Sequence, residues 1–247
     1  MNSSDILGFS WSELPAVGSR TSPDRVLFRF TRALPEVVWD AAVLEGNTFT
    51  FPEVQTLLDG ITVGGHRLSE QDQVLRLADA ANLLRSFISS DTFALSKPTS
   101  DALHEAVATN EALEAGHFRG EGDAGGPDSS VTVRLGEAGT YVAPPAGVGG
   151  SNLTNIFKAG VDRICLVAEP YHQALIYFAF AALQQFYFDG NKRTARLMCC
   201  GHLMAHGYEA ISVPAARKLE FNHTMVDFYV TRNATSLLAF LAGCAIS

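Results

Sequence analysis

An all-α bundle carrying one inserted β-hairpin is the fold this sequence predicts, and three observations predict it. Apolar residues recur at helical spacing through most of the chain. Pro170 to Phe186 is apolar on nearly every face, as the central helix of a bundle must be. Only one stretch, Val131 to Ala143, alternates apolar and polar residues as strands do.

The elements follow in order. Residues 1–32 are polar and mixed and read as an N-terminal arm, ahead of a single domain over 33–247. Leu34, Val37, Val38, Ala41 and Leu44 share one helical face, and Gly46-Asn47 supplies the residue types that end a helix in a left-handed turn. Thr50-Phe51-Pro52-Glu53 restarts the chain as a capping box with Pro in the first turn, and Leu57-Leu58-Asp59-Gly60 closes that short helix. Ser69 and Asp72 open a long helix striped by Val74, Leu77, Ala81, Leu84 and Ile88. A further helix is expected from Ser100 to Leu113, entered through Lys97-Pro98. Gly120 to Ser130 is a loop by composition. Val131, Val133 and Leu135 then form a strand that turns through Gly136–Gly139 and returns over Thr140–Ala143, closed by Pro144-Pro145. A lone hairpin is marginal and must lean on helices, yet its backbone edge can accept a strand from a partner. After the central helix, a second runs from about Gly190 to His206, and Val226 to Ala242 forms the last.

Composition narrows the function classes. The chain has 247 residues, 18 basic and 26 acidic, for a net charge of −8, which disfavours broad electrostatic attraction to nucleic acid or anionic lipid. Four cysteines in a chain this long make no disulfide scaffold. Met1 to Gly18 lacks a signal-peptide pattern, and the apolar run Ala174–Leu183 is half the ~20 residues that span a bilayer. The expectation is a cytoplasmic globular protein with neither nucleic acid nor membrane as partner.

The chemistry concentrates in Gln185 to Arg196, where the central helix gives way to the next. Free backbone N–H groups at a helix start bind anions, and Gly190 allows close approach. Lys192, Arg193 and Arg196 put three positive charges within five residues, and Asp189 at the same mouth suits a hard cation such as Mg²⁺ bridging phosphates. The residues alone leave two readings open: a polyphosphate site, or an ordinary cap followed by a solvated basic turn.

Asp-Gly-Asn-Lys-Arg-Thr-Ala-Arg at 189–196 resembles the core of the Fic (Fido) signature, His-x-Phe-x-Asp-Gly-Asn-Gly/Lys-Arg-x-x-Arg. Leu103-His104 through Gly116-His117-Phe118-Arg119, followed by the hairpin, resembles the segment that builds that family's target-docking flap, here about 131–145. Leu44-Glu45-Gly46-Asn47 resembles the end of the inhibitory helix of members that carry it N-terminally, here 34–47. The resemblance spans roughly residues 34–245. It implies transfer of AMP from ATP to a protein hydroxyl, with ATP and Mg²⁺ required. Asp189 would hold the metal, Gly190, Asn191 and Lys192 would surround the α- and β-phosphates, and Arg193 would pair with the terminal ones. Arg196 would be the partner of the inhibitory Glu45, which would occupy the place of a γ-phosphate. Asn233 aligns loosely with an adenosine contact. A target protein of unknown identity would dock on the flap, and family members often form homodimers.

Two positions depart from the pattern. The family's catalytic histidine falls on Gln185, and an amide cannot act as a general base; losing a positioned base typically costs ~10²–10⁴ in rate. Ala41 stands where the inhibitory helix usually carries Ser or Thr. The alternative is therefore a catalytically inactive protein acting as a nucleotide- or protein-binding regulator. AMP removal, with Glu45 positioning water, ranks lower, because it too would miss the histidine. His202 and His206, one turn apart behind Cys199-Cys200, lack a third ligand with metal-site spacing. His172 lies too far upstream to replace the missing base.

Overall fold

The computed structural model describes residues 6–246 and is mainly helical. The first long helix, α1 (Pro23–Leu44), starts well before Leu34, with Ser22 accepting from the Arg25 amide and Pro23 in the first turn. Pro35 lies inside it. Proline there reads locally as a helix start, but burial of Val26 and Phe30 on one side and Val38 and Ala42 on the other carries the helix through. The arm is likewise less loose than its polarity suggests. Leu7 and Phe9 are buried, and Ser10 exchanges backbone hydrogen bonds with the Arg232–Ala234 segment.

Helix α2 (Phe51–Leu58) opens on the expected box, Glu53 accepting from the Thr50 amide and hydroxyl at 2.7 Å each. Helix α3 (Leu68–Ser89) is capped at Arg67, whose amide donates to Glu70, rather than at Ser69. Helix α4 (Lys97–Ala108) stops before Leu113 because Asn110 adopts a left-handed φ of 71°. The hairpin comprises β1 (Thr132–Arg134) and β2 (Thr140–Val142), antiparallel with Val133 opposite Tyr141.

Helix α5 (Ser151–Ile164) went unread in the sequence. Helices α6 (Pro170–Gln184) and α7 (Asn191–Ala205) form the central pair and pack along their lengths. What reads as one last helix is two, α8 (Lys218–Thr231) and α9 (Thr235–Ala242), separated by Arg232 at φ 58°. Every residue of α6 from Ala174 to Gln184 is buried.

Two apolar cores result. The larger wraps α6 and α7; the smaller lies under α1 to α4 and holds Val38, Ala42, Phe49, Val54, Val74 and Val107. Helix α1 bridges both, so its C-terminal end is fixed against α7. No helix among the described residues is long and apolar enough to cross a membrane.

Candidate functional site

The α6–α7 connection is built around two side chains that face inward. Gln185 ends α6 in a left-handed conformation, φ 50°, and is 6% exposed. Its Nε2 donates to the Ala182 carbonyl at 2.6 Å and to the Tyr229 hydroxyl at 3.2 Å, while that hydroxyl donates to the same carbonyl. The amide is thus tied into the protein. Asn191 closes the loop, accepting from the Tyr187 amide at 2.8 Å and donating to the Tyr187 carbonyl at 2.7 Å. Its side chain is spent on the loop, which leaves only its backbone for a ligand.

His104 of α4 supports the same loop from below. Gly116 N donates to its Nδ1, so the proton sits on Nε2 and is donated to the Asp189 carbonyl at 2.9 Å. The ring stacks on Tyr187 at 3.7 Å, and burial pulls its pKa down to about 4, which keeps it neutral. Gly190 at φ 70° presses on α4. A Cβ there would come within 3.0 Å of Ala108 and 3.3 Å of His104, so both the conformation and the close approach require glycine.

The start of α7 is the electropositive mouth. Asp189, its side chain 69% exposed, accepts from the Gly190 amide at 2.6 Å, and no side chain caps the amides that follow. Arg193 and Arg196 are both buried, and each is met by a carboxylate. Arg196 Nη2 donates to Glu45 Oε1 at 3.3 Å; Arg193 Nη1 lies 2.7 Å from Glu111 Oε2 and Arg193 Nη2 lies 4.0 Å from Asp189. Arg193 Nε and Arg196 Nη1 are buried without a partner. Burial alone would raise the Glu45 pKa, but Arg196, Arg193 and Lys192 together outweigh it and hold the carboxyl below its ordinary range. Burial lowers the Arg196 guanidinium, with Glu45 opposing.

Beside this mouth runs a groove of about 820 Å³, walled by the hairpin on one side and α8 on the other, with Lys192 at its edge. Val133, Leu135, Val226 and Tyr229 give it apolar walls, and Asn222, His223 and Asp227 give it polar ones. Asn233 lies elsewhere: its Oδ1 accepts from the Thr235 amide at the head of α9, outside the residues that line the groove. His202 and His206 sit side by side, but His202 Nε2 bonds Gln173, and the described residues contain no cluster of three or more potential metal ligands. His172 bonds the Pro15 carbonyl and is structural.

No family model matches the chain. It is 25% identical over 187 residues to protein adenylyltransferase fic-1 of Caenorhabditis briggsae and, to the same extent, of Caenorhabditis elegans, an alignment that covers 74% of this chain and 34% of each relative. The chain thus spans about a third of the length of the curated relatives it matches. Among solved structures it superposes on Fic-1 from C. elegans with a TM-score of 0.68 at 19% identity, covering 88% of this chain and 62% of that one. A Fic domain-containing signaling protein from Bacteroides thetaiotaomicron gives 0.69 at 19% identity, covering 91% and 87%. The chain has the Fic fold.

Within that fold the residues present suit a magnesium-bound phosphate chain. Two buried guanidinium nitrogens lack partners near the start of α7, and a positively charged group of this kind suits an anion. Asp189 is a single carboxylate at the mouth, so Mg²⁺ would need phosphate and water oxygens to complete its shell, as that ion usually does. Sequence reasoning missed Glu111, which sits in an irregular turn with no motif around it. The structure also gives roles to two residues known only as part of the flap resemblance. His104 orients the loop, and Arg119 donates to the carbonyls of Gln185, Ser129 and Pro144 at 2.6–3.0 Å, fastening the hairpin base to the end of α6.

Proposed function

We propose that this chain binds a magnesium–nucleoside triphosphate at the α7 mouth and is a Fic-type relative of protein adenylyltransferases, restrained by Glu45 and weakened by Gln185. The observation that carries the reading is the ion pair of Glu45 with buried Arg196 beside an uncapped helix N-terminus. A carboxylate there holds the guanidinium that a terminal phosphate would need. The distant likeness to fic-1 and to Fic structures supports the same class.

The residues divide the work. The α7 amides and Lys192 would hold the inner phosphates and Arg193 and Arg196 the outer ones, while the groove between hairpin and α8 takes the nucleoside. Asp189 would hold Mg²⁺, which neutralises phosphate charge. The hairpin edge would present a hydroxyl-bearing segment of a target protein by strand pairing. The missing step is proton removal from that hydroxyl. Gln185 has no titratable group, and its amide is already engaged by Ala182 and Tyr229. That engagement favours a second reading, a nucleotide-binding regulator that performs no transfer.

Incubation with α-labelled ATP and Mg²⁺ separates the two. Transfer predicts label on protein that rises in Glu45→Gly and rises again in Glu45→Gly with Gln185→His. Titration of the unaltered chain and of Glu45→Gly with ATP reads binding alone. Binding without label in any variant selects the regulator, and neither binding nor label in any variant removes both readings.

A further inference from the structure

Arg193 is the better-buried arginine of the mouth, its side chain 4% exposed, and the partners of its guanidinium are carboxylates and a backbone carbonyl. Glu111 Oε2 lies 2.7 Å from Nη1, the same Nη1 is 3.3 Å from the Val107 carbonyl in the last turn of α4, and Asp189 stands 4.0 Å from Nη2. The end of α4 adds the partial negative charge of a helix C-terminus. Glu111 is held in place by its own turn, its amide donating to the Ala108 carbonyl after the break at Asn110. It is one-quarter exposed, so it can swing out to solvent, whereas Arg193 cannot. A guanidinium carries five N–H donors, and it holds a carboxylate or phosphate best through a fork of two parallel ones. While Glu111 holds Nη1, an arriving phosphate meets only the remainder of that fork, and the unpartnered Nε is left without its natural mate.

We propose that Glu111 is a second acidic plug, a counter-charge on Arg193 that incoming phosphate must displace, in addition to the Glu45 plug on Arg196. The inference rests on the nucleotide site proposed above and deepens its regulation. The two carboxylates come from different elements, the end of α1 and the turn after α4, and hold different arginines. Removing Glu111 frees Nη1 of Arg193, whereas removing Glu45 frees Nη2 of Arg196 and also takes a nearby negative charge from Arg193.

The test is titration of the full chain and of Glu111→Gln, Glu45→Gly and the double variant with Mg–ATP, with AMP as the short-chain control. Glu111→Gln keeps the size and a hydrogen-bonding end while deleting the charge, and should tighten Mg–ATP binding roughly ten-fold, about the scale of a modest coupling between two groups. Glu111→Ala should do the same, and Glu111→Asp should retain the parent behaviour. AMP, which lacks the terminal phosphates, should gain least, and the double variant should bind Mg–ATP more tightly than either single variant. Unchanged or weaker Mg–ATP binding in Glu111→Gln and Glu111→Ala while Glu45→Gly binds overturns the inference and leaves the nucleotide site standing. So does an equal gain for AMP, which would mark a general change of charge and not a contact. Absence of binding in every variant removes the nucleotide site itself, and the inference with it.

Discussion

Single residues separate the two functions proposed for this site. Gln185 occupies a buried left-handed position with its amide donated to Ala182 and Tyr229, so no rotation of the existing side chain supplies a base. Replacing it by His in a Glu45→Gly background should raise label transfer by ~10²–10⁴, the usual worth of a positioned base, and a gain under tenfold would show that proton removal is not what limits the site. His104 makes a pH-dependent contribution of known sign. The unfolded chain takes up this proton near 6.5, whereas the folded chain resists until about 4. The stabilisation is therefore complete above pH 6.5 and is lost as pH falls from there toward 4, about 3 kcal/mol in all. Melting temperatures between pH 7 and 4.5 should fall less steeply in His104→Gln than in the parent. Equal slopes would mean that the imidazole is not held neutral. Gln185, Asp189 and the two arginines are visible in the sequence because a contiguous motif carries them. Glu111 is not, because it reaches Arg193 from 82 positions away through a turn whose course depends on one left-handed asparagine.

At the scale of elements, the helix that carries Glu45 is anchored by more than its ion pair. Val38 and Ala42 are buried in the smaller core, Lys218 donates to the Val43 carbonyl at 2.5 Å, and Asp40 accepts from Ser212 and Ala215. Burying one valine side chain contributes roughly 1.5 kcal/mol or more, which exceeds the usual worth of a partly exposed ion pair. A ligand that displaces Glu45 therefore has a side chain to rotate and not a helix to lift. The hairpin depends on Arg119 instead. With three hydrogen bonds from a buried guanidinium to backbone carbonyls, Arg119→Met should destabilise the fold by about 2–4 kcal/mol, read from chemical denaturation, and should loosen the flap to proteolysis. A stability change below ~0.5 kcal/mol would show the carbonyls finding water in its place. Most element types are legible from periodicity, helix α5 is not, and element ends are the least legible of all. Pro35 reads as a start and is interior; Arg232 has no helix-breaking identity, yet it divides α8 from α9 by adopting a left-handed conformation.

The whole molecule is a Fic-fold bundle whose most buried helix pair presents one electropositive end, with its two arginines each already holding a carboxylate. Fold class followed from one continuously apolar helix and one alternating stretch, because burial on all faces and pleat alternation are patterns that local sequence records directly. The pairing of Glu45 with Arg196, 151 positions apart, is a tertiary fact that only a resemblance to known sequences could anticipate. The most direct test of the central claim is a crystal structure of Glu45→Gly grown with Mg²⁺ and a non-hydrolysable ATP analogue. The account predicts phosphate density against the first amides of α7, with Arg193 and Arg196 turned onto it and the nucleoside lying in the groove beside the hairpin. A nucleotide bound elsewhere, or an empty α7 mouth at saturating concentration, would contradict it.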